Sequence, residues 1–207
     1  MNDQINALKD DLSFMRELAE AGRRGPLGGG VFLVASGAIY AGACLVQWAG
    51  LQRLGGLDPH YTNWSMLDAT GLWVVVWLVL ARMVSGQRRS AATANQTFAV
   101  GWSAIGMAML VNVGAAAIIT GKAHDMAVFQ IFPSLALSLY GAAWLIAAAA
   151  ARKVWMLITA LAAFGLALGL AELINDDRIL LGFALSLIAL LVAPGLYMMR
   201  RAPAAQA

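Results

Sequence analysis

Residues 152–178 read "RKVWMLITALAAFGLALGLAELINDDR". Between the basic pair Arg152-Lys153 and the acidic loop, residues 154–171 carry no charge. A helix rises about 1.5 Å per residue, so a run of this length approaches the roughly 30 Å of a bilayer's hydrocarbon core. The stretch therefore predicts a membrane-spanning helix over Val154–Ile174. Reading outward in both directions finds five more apolar runs of similar length: Val31–Leu51, Trp64–Ser85, Phe98–Thr120, Met126–Ala151 and Ile179–Met199. The fourth of the six spans contains Pro133, which predicts a tilt or a kink near its start.

The whole chain agrees with this reading. Of its 207 residues, 61% are hydrophobic and 12% charged. Soluble domains run at about 25% charged, so this chain cannot cover a water-facing surface. The expected fold class is an all-α integral membrane protein. Six transmembrane helices form a bundle of antiparallel hairpins, preceded by an amphipathic helix. Cys44 is the single cysteine and lies inside the first run, which excludes an intramolecular disulfide. Residues 1–24 contain Asp3, Asp10, Asp11, Glu17 and Glu20 and do not resemble a signal peptide, whose leading segment is short and basic. The first span is therefore expected to stay in the mature protein.

Basic residues sort between the two sides. Lys9, Arg16, Arg23, Arg24, Arg82, Arg88, Arg89, Arg152, Lys153, Arg200 and Arg201 fall on one side. Only Arg53, Lys122 and Arg178 fall on the other. The positive-inside rule places the first set in the cytoplasm, with both termini inside and the protein in the plasma (inner) membrane. The domain plan is a cytoplasmic helix at 1–24, a Gly/Pro linker at 25–30, the six-helix domain at 31–201 and a short tail at 202–207.

In the N-terminal segment Ile5, Leu8, Leu12, Met15 and Leu18 recur every three or four residues, one apolar stripe on a helix. Arg16–Glu20 and Glu20–Arg24 are opposite-charge pairs one turn apart. The segment is net acidic, whereas anionic lipid favours basic helices. Residues 5–22 are therefore expected to meet a cytoplasmic protein partner or a second copy of the chain, ahead of the membrane surface or the bundle's own cytoplasmic end. Within the bundle, Gly37-x-x-x-Ala41 and Gly165-x-x-x-Gly169 are small-residue seams that predict close packing between spans, with self-association as the other use of such seams.

The polar residues collect on the outer side, and the inner half reads as almost wholly Ala, Leu, Val and Ile. Asp68 is the informative position. Helix arithmetic gives about 20 Å between it and Arg82, too little to keep both charges outside the hydrocarbon. Arg82 can snorkel along its stem, and Asp68 cannot. Asp68 must then face the bundle or a wet cavity, unless the membrane thins beside it. Glu172 lies one turn below the loop "NDDR". Intramembrane carboxylates are costly and point to function. Asn112, deeper in span three, and Gln130, at the outer boundary, complete the candidate ligand-binding set. A structural role competes for each: an interfacial carboxylate or ion pair for the acids, interhelical hydrogen bonding for Asn112.

His60 with Asp58 and His124 with Asp125 are weak metal candidates on two outer loops. No HxH, HxxxH or CxxC spacing supports zinc, and solvated loop histidines are the simpler reading. Neither histidine lies mid-span, which disfavours haem, so no cofactor is expected. The basic loop at 86–96 lacks interleaved aromatics, and nucleic acid is not expected as a partner; the lipid bilayer is. No GxSxG, HExxH or P-loop pattern occurs. The function expected is a non-enzymatic membrane module: a sensor, regulator or accessory subunit. A small-solute or cation transporter or channel is the alternative, disfavoured because Asn112 is almost the only polar group at mid-depth. A membrane enzyme acting at the outer interface is the third reading.

Overall fold

The computed structural model describes residues 29–62, 64–85, 93–123 and 127–201. Among them every regular element is helical and no strand occurs. Six helices are long and apolar enough to cross a membrane: Gly30–Leu51, Ser65–Met83, Thr97–Ala123, Phe129–Ala151, Val154–Ala171 and Arg178–Arg200. These are spans one to six, and they match the six apolar runs. The amphipathic segment 1–24 and the tail 202–207 lie outside the described residues.

Two spans depart from a plain rod, each at a proline. Span four begins as a short helix, Ala127–Gln130, that breaks at Ile131 before Phe132–Ala151. Pro133 stands in the first turn of the longer helix, where its missing N–H costs nothing. The expected irregularity is thus a break ahead of the proline. Span six runs as α-helix over Arg178–Leu187, widens into a π-turn over Ile188–Val192, and resumes over Ala193–Arg201. Pro194 explains the widening. In an α-helix its N–H would bond the carbonyl of Leu190, and proline has none.

Spans one, four, five and six hold most of the core. Spans four and five form the most extensive pair, joined across Arg152-Lys153, with Arg152 in the left-handed region at φ 51°. Span one packs along span six, and span six also touches spans five and four. Small residues set these distances. At Gly30 and Gly195 a Cβ on either residue would lie 2.8 Å from the carbonyl oxygen of the other, so only glycine permits the crossing. Gly37 faces Leu191 and Val192, and Gly141 faces the ring of Phe164. Buried Ala136, Ala143, Ala147, Ala160, Ala163 and Ala184 line the remaining contacts. Close backbone approach is how apolar helices associate where burial from water offers no drive.

Spans two and three are peripheral. Span two packs on span one and span three on span four, and most of the surface of each is exposed. The two seams of the sequence behave differently. Gly37 and Ala41 are buried against span six as expected. Gly165 and Gly169 are exposed with open space where a side chain would be, so the span-five seam packs against nothing among the described residues. The repeat pattern is the same in both, but the core of span five is made by Met156, Ala160, Ala163 and Ala167 on another face.

The expectation of an inner half made of small aliphatics is overturned. A chain of aromatic rings joins spans three to six near the end that carries Arg152, Lys153 and Arg200. Phe98, Trp102, Tyr140, Trp144, Trp155 and Tyr197 are linked by centroid separations of 5.2 to 6.3 Å. Edge and tilted arrangements of this kind add to simple burial. Trp144 is 0% exposed at their centre.

Candidate functional site

The connection between spans one and two does not stand clear of the bundle. Arg53, Gly55 and Gly56 take positive φ and turn the chain back. The Asp58 carboxylate accepts the backbone N–H of His60 at 2.8 Å, capping the short helix Pro59–Thr62. Thr62 is buried against Gly50, near the end of span one. Span two then starts well down the side of span one. The Ser65 hydroxyl donates to the carbonyl of Ala43 at 3.1 Å, and the Tyr40 hydroxyl donates to Thr70 Oγ1 at 3.5 Å.

Those two bonds bracket Asp68 along span one. Between Ala43 and Tyr40, Asp68 lies beside the middle of span one, roughly 15 Å from either end at about 1.5 Å per residue. Span-length arithmetic expects it below the surface; the bracketing bonds set it beside the middle of span one. It does not face the bundle. Asp68 is exposed, on the side of span two turned away from span one. Its position in the first helical turn suits a negative charge, because the N-terminal end of the helix dipole is positive. Among the described residues its carboxylate has no hydrogen bond or ion pair.

The other candidates are placed elsewhere. Gln130 is a tie: its side-chain carbonyl accepts the backbone N–H of Asn175 at 3.1 Å, holding the start of span four to the loop between spans five and six. The Gln52 amide donates to Asp177 at 3.3 Å and brings the end of span one to that same loop. Asp176 accepts the backbone N–H of Arg178 at 2.8 Å and lies 3.9 Å from its guanidinium. Glu172 caps span five at this end and is exposed. Asn112 donates to the carbonyl of Ala108 in its own helix at 2.8 Å, so this amide nitrogen bonds within span three and not across to another span. No hydrogen bond or ion pair among the described residues joins any two of Asp68, Glu172, Asn112 and Gln130.

His124 and Asp125 fall outside the described residues. Among those described, no group of three or more His, Cys, Asp and Glu side chains gathers as a metal set would. The feature not anticipated is the aromatic cluster. Its signal was present in the spacing Phe98–Trp102 and Tyr140–Trp144, each one turn apart, with Trp155 and Tyr197 at matching depths of neighbouring spans. Within it the indole nitrogen of Trp144 donates to the Leu190 carbonyl at 3.0 Å. The indole nitrogen of Trp102 is buried without a partner among the described residues.

No family model, curated protein or solved structure matches this chain. Its functional reading rests on its own residues.

Proposed function

We propose that the protein is a non-enzymatic module of the inner membrane, with both termini cytoplasmic, that works by assembling with other proteins. The observation that carries this reading is the dryness of the interior. Among the described residues the buried polar positions are Thr62 and Ser186. Ser186 is satisfied within its own helix by the carbonyl of Gly182 at 2.7 Å, and Thr62 stands at one end of the bundle. A transport route needs polar groups near the midplane and access from both sides. Here the helix contacts at that depth are made chiefly by Ala and Leu; Tyr40 bonds Thr70, Asn112 bonds its own helix, and Asp68 faces outward. The distribution of basic residues supports the orientation. Residues 5–22 would supply a cytoplasmic contact.

The test is solute and cation flux in proteoliposomes holding the purified protein. Flux no faster than protein-free vesicles is expected, and robust flux would overturn the reading. Deleting residues 1–22 should leave membrane insertion intact while abolishing capture of a cytoplasmic partner.

A further inference from the structure

Span two presents an exposed face that nothing among the described residues covers. Ala69 is buried, and Thr70, Trp73, Val76 and Leu80 are partly so, on the side toward span one. The opposite side carries Asp68, Leu72, Val75 and Val79, all exposed. Beside Asp68, Gly71 has open space where a Cβ would stand, so another backbone can come close. Lipid tails suit the apolar members of this face. They do not suit a carboxylate beside the middle of span one, where an unpaired charge is expensive.

Among the described residues no cation lies at that level of span one. Arg82 lies on the same face but about 21 Å along the helix. Lys122 is in the last turn of span three, and Arg178 begins span six beside Asp176. Every Lys and Arg of the described spans stands at a span end. A second copy does not solve the problem either. Two copies inserted the same way and paired through span two would set Asp68 against Asp68, which places like charges together. Lipid headgroups carry cations but remain at the surface.

We propose that the exposed face of span two docks a transmembrane helix of a different protein, one with a lysine or arginine near its own middle. Asp68 pairs with that cation, Gly71 admits the backbone, and Leu72, Val75 and Val79 supply the packing. The pair is worth more in hydrocarbon than in water, because each charge alone has no other solvation there. This deepens the module reading by naming the partner's chemistry. The two fail separately, since solute flux would sink the module reading and leave this docking untouched.

The experiment uses the full chain, donor-labelled at its C-terminus, in phosphatidylcholine vesicles. The probes are acceptor-labelled Leu/Ala transmembrane peptides of about 23 residues, a length that spans the bilayer. They carry Lys, Glu or Leu at the centre. Energy transfer should show the Lys-centred peptide binding about tenfold or more tightly than the Leu-centred one. Asp68→Asn should erase the difference, and Asp68→Lys should transfer the preference to the Glu-centred peptide. Gly71→Leu, whose Cβ would stand in open space among the described residues, should weaken Lys-peptide binding without lowering the melting temperature; this variant decides the matter if the Asp68 variants do not fold. No preference in the native protein overturns the proposal. So does a preference that survives Asp68→Asn, Lys-peptide binding that Gly71→Leu leaves unchanged, or Asp68-dependent self-association without peptide.

Discussion

The indole nitrogen of Trp144 lies 3.0 Å from the carbonyl oxygen of Leu190, the group that Pro194 leaves without its α-helical donor. One side chain of span four thus repairs a fault that proline makes in span six. In water a freed carbonyl can be solvated. In a dry core it needs a protein donor, and tryptophan brings one on a ring large enough to fill the space beside a π-turn.

Trp144→Phe keeps most of the ring and removes the donor. It should cost about 1–3 kcal/mol, the penalty for an unsatisfied buried carbonyl. Pro194→Ala restores a backbone N–H to span six. In that background the cost of Trp144→Phe should fall by about 1 kcal/mol or more, the coupling expected of groups that serve one acceptor. Detergent-solubilised thermal unfolding of the four variants forms the cycle. Additive losses would show that the two residues act independently.

The glycines divide into two groups that substitution should separate. At Gly30 or Gly195 alanine meets backbone, which cannot step aside, and overpacking of this kind costs about 1–3 kcal/mol. At Gly165 or Gly169 alanine meets open space, and the better helix former should be neutral or stabilising by up to about 1 kcal/mol. Melting temperatures of the four single variants test the division. A large loss at Gly165 would mean that this face is covered.

Asn175 sits at φ 66° in the loop between spans five and six, and its N–H is held by Gln130. Asn175→Gly should be close to neutral. Asn175→Val places a β-branched residue in the left-handed region and should cost about 1–3 kcal/mol. Gln130→Leu should lose about 1 kcal/mol by releasing the same N–H. Equal stability of the Gly and Val variants would show that the loop relaxes out of this turn.

Cys44 is 0% exposed in the core formed with Leu137 and Trp144. A membrane-permeant maleimide should leave it unmodified in the folded protein and label it only as the bundle opens. Labelling rates should then follow global unfolding, with Trp144→Phe labelled faster in proportion to its lost stability. Rapid labelling of the folded native protein would contradict the packing.

What could be read from the chain and what could not divide along physical lines. A span is a property of one segment, about 20 apolar residues, so all six were legible, as was trouble near Pro133. The depth of Asp68 was partly legible, because the short distance to Arg82 forbids both charges from lying outside. Its direction was not, since facing the bundle or facing away depends on which neighbour span two chooses. The same ambiguity separates Gly37 from Gly165: identical spacing, opposite surroundings. Gln130 and Asn112 looked like ligands because polar residues in apolar runs are conspicuous. Their hydrogen bonds, to a loop N–H and to their own helix, are made with backbone that no side-chain pattern reveals.

The crossing of Gly30 and Gly195 joins the first span to the last, and that sets an order on biosynthesis. When span one leaves the ribosome and enters the bilayer, the helix that will cover its glycine face has not been made. Span two, the next to be made, packs along it from the start. Spans four and five, by contrast, can pair as soon as their two-residue turn is complete. The bundle therefore closes late, and span six acts as the clasp. Inserting a stop before Arg178 should leave a paired four–five hairpin beside a first span with its small-residue groove open to lipid.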